Sequence, residues 1–317
     1  MPACAARRRS GGRVRGDRRV NAPAATLTVA PARAGGAGVT PWLLTLPGLA
    51  LFATLLLVPL LLTVILSFNV HDAATGVQAG AYTLAHYLHV FTDSYFLEIF
   101  WRTLWISALV TLLCLLIGAP EAYVLSRMGD PWRSIVLLIV LAPLMISVVV
   151  RAFGWSMLLG PEGLVNNALR WVGLNPVRML YTEIAVVIAL VHVMLPFMVI
   201  PVWTSLQKLD PAVEHAALSL QASPFTTLRR IVLPQVMPGM LSGSLIVFGL
   251  SASAFAIPGL LGGRRLKMVA TLVYDEYLHE LNWPLGATIS LILLAANLVI
   301  MLSLNRLVER RYRKVLG

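Results

Sequence analysis

Three polar side chains lie inside apolar stretches of this 317-residue chain and are the first candidates for chemistry: Arg151, Ser251 and Ser253. A charged side chain in an apolar environment is costly. Arg151 therefore either extends to a polar surface or faces an interior where it gates or pairs. The two serines belong to a stretch rich in small residues, which lets neighbouring helices approach closely, so packing is their default role.

Motifs of catalysis are missing from the sequence. It contains no Gly-x-x-x-x-Gly-Lys-Ser/Thr loop for nucleotide phosphates, no His-Glu-x-x-His and no Gly-x-Ser-x-Gly. Its two cysteines, Cys4 and Cys114, form no metal-ligand pattern. We therefore expect no catalytic residue, no metal site and no cofactor bound by this chain, which is not expected to be an enzyme.

A second candidate site is the segment Lys208–Pro238, which separates two long apolar stretches. Asp210-Pro211 and Ser223-Pro224 each combine a capping side chain with a proline at the first helical position, a pattern typical of a helix start. Pro234 is expected to stop the second helix. The segment therefore predicts two short helices joined by a sharp corner.

Each of these short helices carries an apolar stripe at helical spacing. The stripes consist of Val213, Ala217 and Leu220, and of Phe225, Leu228 and Ile231. Helices this short are marginal in water and need a partner surface. They either fold back on their own bundle or the lipid interface, or they dock on another protein.

Composition indicates the environment of the whole chain. It is 58% hydrophobic and only 12% charged, whereas a soluble domain carries about 25% charged residues. Lipid must therefore solvate much of its surface, and we expect an all-α, polytopic membrane protein. The net charge of +11 does not indicate nucleic-acid binding, because basic residues concentrate beside the spans, where they set topology or meet anionic lipid.

Apolar stretches recur at the length that a bilayer core requires, about 20 helical residues. Six spans are predicted, at Trp42–Phe68, Leu104–Leu125, Ile135–Leu159, Ile184–Leu206, within Met240–Leu261 and within Leu285–Leu304. Residues 1–40 read as a disordered basic cytoplasmic tail or as the product of a mis-assigned start codon. Residues 41–317 then form one transmembrane domain, with a core at about 97–305.

Topology follows from the distribution of Lys and Arg. Eight of the 25 precede the first span, five follow the last, and five lie in the loops that share their side, at Arg127, Arg133, Lys208, Arg229 and Arg230. Outer loops hold five, at Arg170, Arg178, Arg264, Arg265 and Lys267. Because basic residues favour the cytoplasmic side, both termini are expected inside the cell.

The Lys208–Pro238 segment resembles the EAA loop of ABC-importer permeases. Positions in register with that motif are Glu214, Ala216, Ile231, Leu233 and Pro234. His215 replaces the first motif alanine, and Gln221 replaces the motif glycine, which eases the corner between the helices. The resemblance covers about Leu43 to Leu304 and implies the type I ABC-importer permease fold.

Further stretches are similar to spermidine/putrescine-type permeases. They are Val150–Trp155, His192–Met198, Phe255–Gly263 and Asn282–Ala287. The resemblance implies a bacterial inner-membrane subunit that translocates a small solute, with a polyamine as the expected cargo and another small cation or an organic acid as the alternative. It also implies that the helix of Ser251 and Ser253 lines the translocation pathway, together with Arg151 as a candidate.

The family likeness implies three kinds of partner. They are a cytoplasmic ABC ATPase dimer that hydrolyses the ATP, an extracytoplasmic solute-binding protein, and a second permease subunit. The second permease is expected to be a different chain, so that the pore is a heterodimer. Glu214 would contact the ATPase, with packing from Ala217, Leu220 and Phe225; Ala216, Gln221, Ser223, Ile231, Leu233 and Pro234 complete the coupling loop.

Other transport and enzyme classes fit less well. A secondary transporter would carry acidic or histidine residues at mid-span and broken helices in two matching halves. Only His192 fits that description, and no internal repeat is evident. His192 is expected to form an interhelical hydrogen bond rather than to relay protons. The acidic loop residues Asp275, Glu276 and Glu280 either attract a polycation, contact the binding protein or form a solvated face.

Overall fold

The computed structural model describes residues 40–72, 76–263 and 265–316. Residues 1–39, which hold nearly all of the predicted basic tail, lie outside the described residues. The chain divides between Thr54 and Leu55 into two units. In the first, the described residues form the beginning of helix α1, Thr40–Ser67; the elements that follow α1 belong to the second.

The elements after α1 are helical except for one hairpin. Strands β1 (Asn69–Asp72) and β2 (Gly76–Tyr82) pair antiparallel. The helices before the loop segment are α2 (Ala85–Thr92), α3 (Ser94–Arg127), α4 (Trp132–Met145), α5 (Val148–Leu159), α6 (Leu164–Trp171) and α7 (Glu183–Gln207). Those that follow are α8 (Pro211–Ser219), α9 (Pro224–Thr227), α10 (Leu233–Ala252), α11 (Ala256–Leu261), α12 (Val269–Leu278) and α13 (Trp283–Leu316).

Six stretches of the described chain are long and apolar enough to cross a membrane. Four overlap the first, second, fourth and sixth predicted spans, at Thr45–Ser67, Ser94–Arg127, Glu183–Gln207 and Trp283–Arg306. The expected all-α, polytopic fold class is thus confirmed. The third and fifth spans depart from the prediction.

The third predicted span, Ile135–Leu159, is wrong as one continuous helix. It breaks into α4 and α5, and the membrane-length stretch is Val148–Trp171. Pro143 lies in the last turn of α4, where it supplies no backbone donor, and the extended backbone of Ile146 ends the helix. The apolar run conceals this break because Pro143 and Ser147, which flank it, are also tolerated within continuous membrane helices.

The fifth predicted span was placed too late in the chain. The structure assigns Pro224–Ala252 to it, and Pro258, which lies inside the predicted span, belongs to the separate helix α11. The hydroxyl of Ser253 donates to the carbonyl oxygens of Gly249 at 2.9 Å and Leu250 at 3.3 Å. The bond to Leu250 satisfies an acceptor at the helix end, whereas the Gly249 carbonyl also accepts the backbone N–H of Ser253.

The prediction that Pro234 stops the second loop helix is also wrong. From α9 the chain passes through a π-helical turn, Leu228–Val232, directly into α10. The N–H of Leu233 donates to the carbonyl of Leu228, five residues back. Pro234 then falls in the first turn of α10, where a missing N–H is tolerated.

The core of the second unit is built where α3, α7 and α10 pack against one another. Gly118 of α3 and Gly243 of α10 both lie against Met198 of α7, and Gly239 lies against Ser205. Small residues bring helix backbones close together in lipid. A second buried cluster joins α2, α3, α12 and α13 and includes Phe96, Ile99, Leu272 and Ile289.

Candidate coupling site and intramembrane residues

Both predicted helix starts of the loop segment are confirmed. The Asp210 carboxylate accepts the backbone N–H of Ala212 at 2.9 Å, just ahead of α8. The Ser223 hydroxyl accepts the N–H of Thr226 at 3.2 Å, with Pro224 opening α9. Local side-chain caps therefore define both short helices, as the sequence indicates.

Gln221 forms the corner between the two helices. Its φ of +57° lies in the left-handed region, which glycine adopts readily and other residues adopt at a cost. The N–H of Ala222 donates to the carbonyl of Ala217 at 3.1 Å, closing the end of α8. The motif glycine that Gln221 replaces thus corresponds to a real backbone requirement of this corner.

Two large apolar side chains project from the corner. Leu220 is 84% exposed and Phe225 is 70% exposed. Ala217, expected to share their face, is instead buried inside the chain, so it does not present its methyl group to a partner. Ala216 and Ser223 are exposed, Ile231 and Pro234 are half-buried, and Leu233 is exposed. The structure therefore leaves an apolar tip at Leu220 and Phe225.

Glu214 is engaged within the chain. Both of its carboxylate oxygens accept hydrogen bonds from Nη2 of Arg127, the last residue of α3. The guanidinium of Arg127 also lies over the Tyr123 ring, 5.0 Å from its centroid. The Glu214 side chain is 15% exposed and that of Arg127 is 47% exposed.

Arg151 is buried, so the expectation that its side chain extends to a polar surface is wrong. It is 9% exposed, and its Nε and Nη1 atoms have no hydrogen-bond partner among the described residues. The guanidinium interacts electrostatically with His192 of α7. Nδ1 of His192 accepts a hydrogen bond from Nε1 of Trp155 at 3.3 Å, which confirms the expected interhelical role.

The two serine candidates differ in environment. Ser251 is fully buried, and its hydroxyl finds no partner in the described part of the chain. Ser253 is exposed and bonds to carbonyls of its own helix. The structure does not bring the two serines together into one site.

A cavity of about 1280 Å³ opens beside α11 and α12. Its lining includes Asp275 and Glu276, which lie in helix α12 and not in a loop as expected, and Glu280 just after that helix. The aromatic rings of Phe255, Tyr274 and Tyr95 also line it. The rings of Phe255 and Tyr274 lie 4.6 Å apart. The acidic residues therefore form a wall of a cavity rather than a flat solvated face.

Charge in this cavity is only partly neutralised. Lys267 lies 2.6 Å from the Asp275 carboxylate, and His279 lies 3.2 Å from its other oxygen. Burial raises the pKa of Glu276; the nearby Glu280 raises it further, while Lys267 opposes the change. Asp275 is thus paired with cationic partners, whereas the charged form of Glu276 is destabilised by burial and by the neighbouring carboxylate.

Comparison with known proteins identifies the family. The family model described as the binding-protein-dependent transport system inner membrane component matches residues 115–314. This chain belongs to that family. The permease is therefore a multi-pass inner-membrane subunit of an ABC importer, as its EAA-like loop and six apolar stretches predicted.

Within this family, the permease is similar to subunits of several characterised transport systems. It is 34% identical over 260 residues to the spermidine/putrescine transport system permease protein PotB of Haemophilus influenzae, covering 80% of this chain and 90% of that protein. PotB of Escherichia coli is 32% identical over 261 residues, covering 82% and 92%. The sulfate transport system permease protein CysT of Escherichia coli is 27% identical over 276 residues, covering 86% and 96%.

A solved structure supports the same fold. The permease matches a chain of a bacterial alginate ABC transporter, in complex with alginate pentasaccharide-bound periplasmic protein, with a TM-score of 0.73 and 21% identity. The match covers 86% of this chain and 95% of that chain. ATPase and binding-protein partners follow from membership of the importer family.

Sequence reasoning missed three features of the permease. Arg127 carried no motif that pointed to Glu214, because the two residues are 87 positions apart. The aromatic lining of the cavity comes from separate elements, so spacing could not reveal it. The contact of Trp155 with His192 did have a signal, since both residues lie in stretches that resemble the polyamine-type permeases.

Proposed function

We propose that this permease imports a linear polyamine, such as spermidine or putrescine, received from an extracytoplasmic binding protein. The observation that carries the proposal is the cavity in which carboxylates and aromatic rings stand together. A polyamine alternates ammonium groups with methylene segments. Carboxylates suit the ammonium groups, and aromatic faces suit both parts through cation–π and apolar contact. The likeness to PotB supports the same cargo.

The chain itself takes no part in ATP chemistry under this proposal. It binds no cofactor and is not an enzyme; a dimer of cytoplasmic ABC ATPase subunits hydrolyses the ATP. The exposed side chains of Leu220 and Phe225 would insert into a groove on that ATPase, because apolar anchors on short helices commonly bind in this way. The second permease is proposed to be a different chain, giving a heterodimeric pore.

Orientation follows from the same assignment. With the loop of α8 and α9 in the cytoplasm, both termini are proposed to lie inside the cell. The cavity beside α12 is then proposed to open toward the outer side. The distribution of Lys and Arg supports this orientation. A binding protein would then deliver solute directly to the cavity.

Uptake by the assembled transporter in proteoliposomes tests the cargo. Labelled spermidine is expected to enter in an ATP-dependent manner, with putrescine competing and sulfate or citrate not competing. The double variant Glu276→Gln/Glu280→Gln should slow spermidine uptake several-fold while leaving ATPase association intact. Glu162→Gln, which removes a carboxylate paired with Arg170 elsewhere, serves as the control. Normal uptake by the double variant would count against the cavity as the polyamine route.

An organic acid is the second candidate cargo, and one observation favours it. Among the described residues, the buried guanidinium of Arg151 finds no partner for two of its nitrogens, and a carboxylate would satisfy them. Competition by citrate or succinate, abolished in Arg151→Met, would support this candidate. Polyamine uptake that is unaffected by these acids would exclude it.

A further inference from the structure

The ion pair of Arg127 and Glu214 joins the loop segment to a transmembrane helix. Glu214 lies in the first turn of α8, and Arg127 is the last residue of α3. Each oxygen of the carboxylate accepts from the same guanidinium nitrogen. The contact connects residues 87 positions apart, so it is not a local feature of either helix.

The main packing contacts of α8 are local. This helix packs against α9 and the π-helical turn, which are its neighbours along the chain. In contrast, α3 packs extensively against both α7 and α10, the helices at the centre of the bundle. A displacement of α8 that reached α3 would therefore reach the helices that pack around it.

Both side chains are held in place for this contact. Glu214 is mostly buried, and the cation–π contact with Tyr123 fixes Arg127 on its own helix. A charge pair with preset geometry loses less side-chain entropy than a pair of free surface residues. The nearby pair Arg133–Asp130 differs, because its members are three residues apart and belong to one local segment.

We propose that Arg127 is a positioning residue that ties α8 to α3, so that movement of the docked ATPase is transmitted to the transmembrane bundle through Glu214. In this view Glu214 acts inside the permease, and its carboxylate keeps acceptor capacity for the polar contact with the ATPase that its motif suggests. The inference rests on the proposed docking of α8 and α9 on the ATPase. Docking itself is assigned to the apolar tip at Leu220 and Phe225.

Charge exchange in the assembled transporter tests the link. Arg127→Glu and Glu214→Arg should each retain ATPase association. Each should reduce both the uptake rate and the ATP hydrolysis stimulated by spermidine-loaded binding protein by about fivefold or more, since coupling between two sites typically changes an affinity by at least about that factor. The double variant Arg127→Glu/Glu214→Arg restores the pair with reversed charges and should recover much of both activities. Arg127→Lys, which keeps one charged donor, should retain an intermediate activity.

The control is Arg133→Glu, which breaks the local pair with Asp130 and should leave uptake unchanged. Full coupling in Arg127→Glu would overturn the proposal, and so would a double variant no better than the worse single variant. A purely structural role would lower the melting temperature of the single variants and would reduce their basal ATP hydrolysis as much as their stimulated hydrolysis.

Failure of the underlying docking proposal has a different signature. Leu220→Asp/Phe225→Asp should abolish co-purification of the ATPase with the permease. If that variant still binds the ATPase, the docking assignment fails, whereas the charge-exchange result still shows whether Arg127 and Glu214 act as a pair. If spermidine does not stimulate ATP hydrolysis by the wild-type complex, the cargo proposal fails. The coupling assay then uses whichever solute the uptake experiment shows to be transported.

Discussion

Thr103 and Val269 connect α3 to α12 through one buried hydrogen bond. The hydroxyl of Thr103 accepts the backbone N–H of Val269 at 2.9 Å and donates to the carbonyl of Ile99 at 2.8 Å. Val269 is the first residue of α12, whose N–H has no partner inside its own helix. Thr103 thus satisfies a helix terminus that carries one wall of the acidic cavity.

Replacing Thr103 with valine should therefore destabilise the permease. The isosteric side chain leaves a buried N–H without a partner, which costs about 1–3 kcal/mol. Thermal unfolding of the purified protein in detergent measures the change. Thr103→Ser keeps the hydroxyl and should stay close to wild type, and Thr111→Val removes only a bond to its own helix. Equal stability of Thr103→Val and Thr111→Val would contradict the role of this bond.

The close approach of α10 to α7 makes a second prediction. A Cβ at Gly239 would come 2.6 Å from the backbone carbonyl oxygen of Pro201 and would also collide with Ser205. Because backbone cannot move aside as a flexible side chain does, Gly239→Ala should cost about 1–3 kcal/mol. Gly154→Ala is the matched control, because no atom of the described residues beyond the local helix backbone lies within 4 Å of the added Cβ. Its melting temperature should equal or exceed that of wild type.

Gln221 supplies a stabilising substitution. Since its φ of +57° favours glycine, Gln221→Gly should stabilise the corner of the loop segment by about 1 kcal/mol. Gln221→Ala keeps Cβ and should give no such gain. Limited proteolysis of the loop measures the effect locally, with slower cleavage expected for the glycine variant. Faster cleavage of Gln221→Gly than of Gln221→Ala would show that flexibility outweighs the relief of strain.

Long apolar runs and local motifs were predictable from the sequence. Helices α1, α3 and α7 follow from uninterrupted apolar length, and the corner at Gln221 follows from a motif position that requires glycine-like backbone. The break at Ile146 was not predicted, because the Pro143 and Ser147 that flank it are also tolerated within continuous membrane helices. The course of α9 through Pro234 was missed because a π-helical turn changes the hydrogen-bond register without a sequence signature.

Contacts between distant residues account for the rest of what was missed. The burial of Arg151 and the pairing of Glu214 with Arg127 depend on how helices pack, not on local spacing. The position of Arg151 inside an apolar stretch indicated only that its side chain faces either a polar surface or the interior of the bundle. Only the packing of the bundle decides between these alternatives.

Stability of the permease should depend on pH through Glu276. Burial raises the pKa of this carboxyl, so the folded state binds its proton more tightly than the unfolded state does. The stabilising contribution is present below the ordinary pKa of glutamate and is lost as pH rises from that value through the raised pKa. Glu276→Gln should therefore stabilise the protein at pH 8, by less than about 1 kcal/mol because solvent still reaches the group.

Melting temperatures across a pH series measure this contribution. The advantage of Glu276→Gln over wild type should shrink as the solution is acidified and vanish at about pH 4, near the ordinary pKa of glutamate. Glu162→Gln removes a carboxylate that is paired with Arg170, so it should show no gain at pH 8. A gain for Glu276→Gln that persists undiminished at acidic pH would show that packing of the amide, rather than relief of a desolvated charge, stabilises the variant.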